Sequence, residues 1–600
     1  MLPYPALPVA LPLLMAALLS GLRPWLPRWM ADLLAILTAA ACLLFSSLLI
    51  PLSQHRNIIY WFGNWAPRGR MALGIGFEVG PVGAGIAALA ALLTLLALIY
   101  SWRAIESGLN LYQPLMLIFL AAMSGFALTA DLFNLFVFFE LMSTAAFALC
   151  GLKVAEPAPL QGAFNFAITN TVGAFFILTG IALVYAATGA LNMAQIGLQL
   201  GSRHDSLVSI ACAFMISGFL IKAAIVPFHF WLPDAHSVAP TPVCVLFSGL
   251  MVELGAFAVL RLSVVLFGDA VAPPHAPMRV ALLVLGSISV IWAGLMCFAQ
   301  HHLKRILAFS TISHAGAMLI GIAIGTPVAV TGWLLYVFSH SMAKGGLFFI
   351  AGILLHRLRS MSEPVLHARG RRLKFTAILW LAGGFALAGF PPFGIGVGED
   401  LISASIYSNG LERWVTFLFF FTGALTAAAV FRVFIRVFLG LGERSPADRA
   451  SRIDEVPEDE GEEQRKIPAR LFVPALICIF LSAAPEAIAH SHEALLFVVN
   501  RFVSQPAFIH AIYGQPFSLP AAHLPATAGL ARDLSAVLFA AFLACAAAFG
   551  KRLPRGLRLV SRIEGRFFPF RQMQSGHPGD YVVWAMVGFV FVGGCLYLLS

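Results

Sequence analysis

Apolar residues fill the chain in runs of about 20, separated by short polar stretches, almost from end to end. A helix of that length crosses roughly 30 Å of hydrocarbon. Sixteen runs can be marked, centred on 5–22, 31–51, 80–101, 112–130, 132–150, 162–187, 207–232, 241–266, 279–299, 304–325, 330–354, 375–407, 413–439, 469–489, 533–550 and 581–599. The pattern predicts an all-α, polytopic membrane protein with about 16 transmembrane helices. The first run lacks a basic n-region and a small-residue cleavage site, so it reads as a helix.

Two runs are interrupted. FLIKAAIVPFHFWLPDAH, residues 219–236, sets Lys222 five residues before Pro227. Pro227 lacks an N–H and clashes with the carbonyl of Ala223, which predicts a broken helix beside the lysine. AGFPPFGIGVGEDLI, residues 388–402, carries Pro391, Pro392 and several glycines ahead of Glu399. Paired interruptions in two halves of a transporter point to its ion sites.

Composition narrows the class. Of 600 residues, 60% are hydrophobic and 11% charged, far below the roughly one quarter charged of soluble domains. Lys and Arg gather in alternate loops, at Arg23 and Arg28, from Arg357 to Lys374, in 441–470, and from Lys551 to Arg562. The positive-inside rule then predicts both termini outside a cell membrane. The net charge of +10 is a topology signal, and no basic patch suggests nucleic acid. Eight scattered cysteines form no CxxC pair, and neither GxxxxGK[ST] nor a strand-borne GxGxxG occurs, so no metal, cofactor or nucleotide is expected. The polar stretch from Gly442 to Lys466 reads as a flexible linker. The loop 491–532 holds enough Phe, Ile and Leu to fold against the surface.

A charge at mid-bilayer costs about 2.5–3.5 kcal/mol or more, so each one there needs a partner, water or a function. The candidates are Glu140, Lys222, Glu253, His314, His340, Lys344 and the pair Glu399–Asp400. Five of the seven lysines fall at loops or span ends, where snorkelling accounts for them; Lys222 and Lys344 do not. Glu140 is either a carboxylate hydrogen-bonded between helices or the partner of Lys222. His340 and Lys344, four apart, share a helix face with Tyr336, a stripe suited to relaying protons. His314, a lone histidine on an apolar face, suits either a relay or an interhelical hydrogen bond. His229, Asp234 and His236 offer metal-ligand chemistry, but Pro227 and Pro233 disrupt their spacing, so a wetted approach to Lys222 is the preferred reading.

The blocks DLFNLFVFFELMSTAAFAL, ALNMAQIG, IKAAIVPFHFWLPDAHSVAPTPVCVLFSGL, LKRILAFSTISHAGAM and HSMAKGGLFFIAG occur in order within residues 112–440. Together they resemble the antiporter-like membrane subunits shared by Mrp-type cation/proton antiporters, complex I (NADH:quinone oxidoreductase) and membrane-bound hydrogenases, with the Mrp D subunit nearest. The resemblance implies two inverted five-helix repeats, 112–267 and 268–440, flanked by three N-terminal helices in 1–111, a linker at 441–468 and three C-terminal helices in 469–600. It implies a modulating ion pair of Glu140 with Lys222, and a path through His340 and Lys344 to Glu399. Two positions depart from the pattern: Glu253 stands where many members carry lysine, and His302 where aspartate is common. The resemblance implies a proton-translocating subunit that works with other membrane subunits, with sodium as cargo left open. Alternatives are a redox-driven hydrogenase or quinone oxidoreductase, whose redox centres lie outside this chain, and a non-conducting scaffold.

Overall fold

A computed structural model of the chain describes residues 4–103, 111–201, 206–267, 276–406, 409–442, 467–487, 491–519, 523–525, 529–549 and 574–598. The linker expected at Gly442–Lys466 lies, beyond its first residue, outside the described residues. Three helices lead, α1 (Leu7–Gly21), α2 (Arg28–Leu52) and α3 (Pro81–Tyr100). Next come α4 (Tyr112–Leu128), α5 (Leu132–Cys150), α6 (Pro157–Thr188), α7 (Met193–Leu200), α8 (Ser206–Lys222) and α9 (Trp231–Val238). Helix α10 (Thr241–Val265) contains a π turn at Phe247–Met251.

The second half of the body holds α11 (Pro277–Ala299), α12 (Leu303–Ile324), α13 (Pro327–Leu358), α14 (Glu363–Leu366), α15 (Lys374–Leu387), α16 (Ile395–Ala404) and α17 (Gly410–Leu439). After the linker follow α18 (Ala469–Leu481), α19 (Ala484–Ala487), α20 (Ser491–Phe502), α21 (Gln505–Ile512), α22 (Leu530–Phe549) and α23 (Pro578–Leu598). Among the described residues, 12 helices are long and apolar enough to cross a membrane, and α4, α8, α15 and α18 are shorter apolar helices.

The all-α expectation needs one correction. Strands β1 (Ile58–Trp61) and β2 (Gly76–Val79) pair antiparallel, Ile58 opposite Val79. Four-residue strands are too short to register in a pattern set by runs of about 20 residues. In the first part of the loop 491–532, α20 and α21 meet at 73°, Arg501 donates to the Ser53 carbonyl at 2.8 Å, and Gln505 donates to the Val265 carbonyl at 2.7 Å.

With no water in hydrocarbon, helices pack by close approach of small residues. A Cβ on Gly332 of α13 would lie 2.6 Å from the Gly398 carbonyl of α16, and one on Gly398 would lie equally close to the Gly332 carbonyl. Helices α10 and α12 form the centre, buried throughout their most apolar stretches, whereas α1 and α2 turn Leu14, Leu37 and Leu44 outward.

Helices α5 and α12 begin in matching seams. Leu132 N–H donates to the Leu191 carbonyl and Met193 N–H to the Ala130 carbonyl; Leu303 and Glu363 make the same crossed pair with the Met361 and His301 carbonyls. Asp131 caps α5 by accepting from Asn134 N–H at 2.8 Å, and His302 caps α12 by accepting from Arg305 N–H at 3.4 Å. His302 thus fills, with a ring nitrogen, the role that a carboxylate fills at Asp131.

The second seam is pinned by Glu363, fully buried at the start of α14, where Arg432 and Arg436 each approach its carboxylate at 3.0 Å and His301 at 3.3 Å. Burial alone would push Glu363 up, but Arg432, His301 and Arg436 outweigh it and hold it well below its ordinary 4.5. A depressed carboxylate contributes its full stability above its unfolded value and loses it only as pH falls through the folded one. Glu363→Gln should therefore cost about 3 kcal/mol and lower the thermal midpoint in detergent, because it strands two buried guanidinium groups. In the wild type, moving from about pH 8 to about pH 6 should leave the contribution of Glu363 intact.

Candidate functional site

Helix α8 ends at Lys222 and the chain resumes helix at Trp231, with a cis peptide at Val226–Pro227 between them. Backbone groups freed inside a membrane protein must find partners. Val226 N–H donates to Ser289 Oγ of α11 at 2.9 Å, and Trp231 Nε1 donates to the Ile221 carbonyl at 2.9 Å. Trp231 also stacks on Phe166 with centroids 4.4 Å apart, which fixes the restart of the helix.

Lys222 thereby sits in the last turn of α8, at the negative end of its dipole, with no exposed surface. Its Nζ donates to Ser143 Oγ at 2.6 Å and lies 4.5 Å from the Phe139 ring centre. Glu140, one turn before Ser143 on α5, is half-buried and acts on Lys222 as a nearby charge. The geometry makes Ser143, and not Glu140, the direct partner of the lysine.

A second set of buried groups runs through the other half of the body. Lys344 donates to the Leu307 carbonyl at 2.5 Å and to Ser310 Oγ. Glu253, just past the π turn of α10, meets His340 Nδ1 at 2.9 Å. The His340 ring centre lies 5.0 Å from that of His314, whose Nδ1 meets Tyr336 Oη at 2.6 Å and whose Nε2 meets Thr426 Oγ1 at 3.2 Å. Tyr336 lies within interaction distance of Glu399 on α16. Glu399 stands 3.3 Å from Arg532 of α22. Glu253, His340, His314, Tyr336 and Glu399 are all buried.

Helix α15 ends at Leu387 and α16 starts at Ile395, with a cis peptide at Pro391–Pro392 in the gap. Gly389 there has φ +72°, in the left-handed region open to glycine, and Gly394 N–H donates to the Ser482 carbonyl at 3.1 Å. Glu399 lies seven residues beyond Pro392, and Asp234 lies seven beyond Pro227.

Sequence reasoning misses Lys304 and misjudges the surroundings of Asp234. Lys304 reads from the sequence as a snorkelling span end, yet it has no exposed surface and donates to the Ala239 carbonyl at 2.7 Å. It stands second in α12 and is met by the chain just past the end of α9, which a run of apolar residues cannot reveal. Asp234 is buried in a ring of donors: Arg305 at 3.0 Å, Tyr581 Oη at 2.5 Å, Asn165 at 3.3 Å and Gln574 at 3.4 Å. In the segment HFWLPDAH, His229, Asp234 and His236 are all nine-tenths or more buried. His236 stacks on Phe348 at 4.9 Å and keeps both ring nitrogens without a hydrogen bond, within electrostatic reach of Lys344 and Lys304. Among the described residues no three His, Cys, Asp or Glu side chains gather as a metal site.

Between Lys222 and His236 the contacts turn aromatic. The Phe247 ring lies 5.6 Å from Phe166, which flanks Lys222, and 5.9 Å from His236.

The fold and sequence have counterparts. Residues 129–426 match the family model described as NADH:quinone oxidoreductase/Mrp antiporter, transmembrane. The N subunit of the NADH-quinone oxidoreductase of Desulforudis audaxviator is 31% identical over 455 residues, 75% of this chain and 87% of that protein. The D subunit of the Na(+)/H(+) antiporter of Bacillus subtilis is 29% identical over 362 residues, 59% of this chain and 72% of that protein. Among solved structures, a chain of the Mrp complex from Dietzia sp. superposes with a TM-score of 0.74 at 24% identity, covering 86% of this chain and all 100% of that one. A chain of the membrane-bound sulfane sulfur reductase, an archaeal respiratory membrane complex, gives 0.73 at 22% identity, covering 85% and 99%. With the buried charges, broken helices and these relatives in hand, the chain belongs to the NADH:quinone oxidoreductase/Mrp antiporter family of membrane subunits.

Proposed function

We propose that this chain is the proton-carrying subunit of a multi-subunit cation/proton antiporter of Mrp type, set in the cell membrane with both termini outside. The observation that carries it is the buried line from Glu253 through His340, His314 and Tyr336 to Glu399. Each member can hold or pass a proton, and a scaffold would gain nothing from burying five such groups in hydrocarbon. Lys222 and Lys344, held by hydroxyl and carbonyl acceptors, can lose and regain a proton without breaking a rigid ion pair.

The cycle we infer starts at Lys222. A proton arriving there changes the field at Glu140, and the charge change passes along the line through Glu253, His340, His314 and Lys344 toward Glu399. Pro227, Pro391 and Pro392 open the helices beside the two ends. Glu253 in place of a central lysine serves as the acceptor and donor at that point.

The architecture we favour has about sixteen spans, counting α4, α8, α15 and α18 with the 12 longer helices. Two inverted five-helix repeats, 112–267 and 268–440, are supported by the crossed seams at α5 and α12, the two helix breaks at proline, and the carboxylates seven residues beyond each. Glu140 supports a partner subunit: a half-buried carboxylate in the middle of α5, beside exposed Phe133 and Val137, is poorly suited to lipid.

A second reading is a redox-driven assembly, favoured by the 31% identity to a quinone oxidoreductase subunit. Iron–sulfur or nickel–iron subunits co-purifying with this chain would select it, and cation antiport subunits would select the first.

In vesicles, Lys222→Ala should slow proton transport about a hundredfold with assembly unchanged, as expected for loss of a positioned proton carrier. Undiminished transport would sink the reading. Glu253→Gln keeps the shape and one acceptor for His340 but removes the acid, and should likewise slow ΔpH-driven transport by about a hundredfold. Full transport after Glu140, Lys222 and Lys344 are neutralised together would point to a scaffold.

A further inference from the structure

Helices α15 and α18 start side by side. Between their first turns lies an open groove of about 440 Å³, lined by Arg372, Lys374, Phe375 and Thr376 at the head of α15 and by Ile467 and Phe472 at the head of α18. Two lining residues are cations and none is an acid. Arg372 and Lys374 are exposed, and among the described residues neither has a carboxylate partner. Thr376 is buried. Arg470, next to the lining residue Ala469, has a buried Nε that finds no hydrogen bond among the described residues.

Onward from the groove the two helices turn apolar side chains outward. Phe375 and Ile378 on α15 and Val473, Leu476 and Phe480 on α18 are exposed, Phe375 at 75% and Phe480 at 76%. Spacings of three and four residues keep each set on one face of its helix. Fixed positive charge at the head of two apolar faces matches the two ends of a phospholipid, an anionic phosphate and its acyl chains. Charge decides the class of headgroup. A zwitterionic lipid brings a cation of its own to a groove that already holds two, whereas a lipid of net negative charge is drawn to basic residues at the membrane boundary.

We propose that this groove holds one phospholipid of net negative charge, its phosphate between Arg372 and Lys374 and its chains against Phe375 and Ile378 of α15 and Phe480 of α18. The lipid ties the head of α18 to the body. Helix α18 in turn lies against α13: a Cβ on Gly345 would stand 3.2 Å from Cys478 Sγ, and one on Gly346 would stand 2.6 Å from Ile479. These two glycines directly follow Lys344, so the lipid steadies a helix that backs the turn carrying that buried lysine. The site goes beyond the transport reading and stands whichever ion the complex carries.

The experiment is native mass spectrometry of the purified, assembled complex, stripped of lipid in detergent and titrated with phosphatidylglycerol or with phosphatidylcholine of the same chains. The wild type should take up one phosphatidylglycerol per copy of this chain more tightly than any phosphatidylcholine. Arg372→Gln with Lys374→Gln should weaken that uptake about twenty-five-fold, about fivefold for each basic residue, and leave phosphatidylcholine uptake unchanged. Arg372→Lys with Lys374→Arg, which keeps both charges, should bind as the wild type does. Equal phosphatidylglycerol uptake by the wild type and the assembled double glutamine variant would overturn the proposal, as would equal affinity of the wild type for the two lipids. Should the double variant fail to assemble, diazirine-bearing probes of both lipids decide in the wild-type complex. Enrichment of the phosphatidylglycerol probe over the phosphatidylcholine probe on peptides bearing Phe375, Ile378 or Phe480 supports the site; no enrichment there, as expected if a neighbouring subunit covers the groove, overturns it.

Discussion

Everything in this molecule turns on placing positive charge inside a hydrocarbon slab without letting it escape to the surface. Three ammonium groups, on Lys222, Lys304 and Lys344, have no exposed surface, and each is met by neutral oxygen: Ser143 Oγ, the Ala239 carbonyl, and the Leu307 carbonyl with Ser310 Oγ. Neutral acceptors solvate a cation without fixing it as a permanent ion pair. The Ala239 carbonyl, just past the end of α9, is one that no helix is using, whereas the Leu307 carbonyl lies inside α12 and accepts from Lys344 there.

The two kinds of buried charge behave differently. Glu363 is clamped by Arg432, Arg436 and His301 at the α12–α14 seam, a closed arrangement that holds one protonation state and serves architecture. Glu253 keeps one oxygen on His340 and leaves the other without a partner, an open arrangement that can accept a proton. The contrast separates structural from working carboxylates by how completely each is satisfied.

The apolar runs and their interruptions made the helical membrane architecture legible, because hydrocarbon thickness imposes a length and a proline imposes a break regardless of tertiary detail. The prominence of Lys222, His340 and Lys344 was legible for the same reason, a charge in an apolar run. Lys304 and Arg532 were not, and Asp234 stood out only as a possible ligand, not as a buried hub. Each sits near a helix end, where a charge is ordinary, and each becomes special only because another part of the chain meets it: Ala239 at Lys304, Tyr581 at Asp234, α16 at Arg532. The β1–β2 ribbon escaped because four residues carry no periodic signal, and Ser143 escaped because a serine in a helix has no charge to betray it.

The contact of the last two helices with both broken segments bears on how the chain is made. Synthesis runs from the N-terminus, so α9 and α16 emerge before Tyr581 and Arg532 exist. Until α22 and α23 are inserted, Asp234 and Glu399 lack the partners that α22 and α23 bring them. Helices α22 and α23 thus close the core around groups translated long before them, so completion of the buried polar network waits on their insertion.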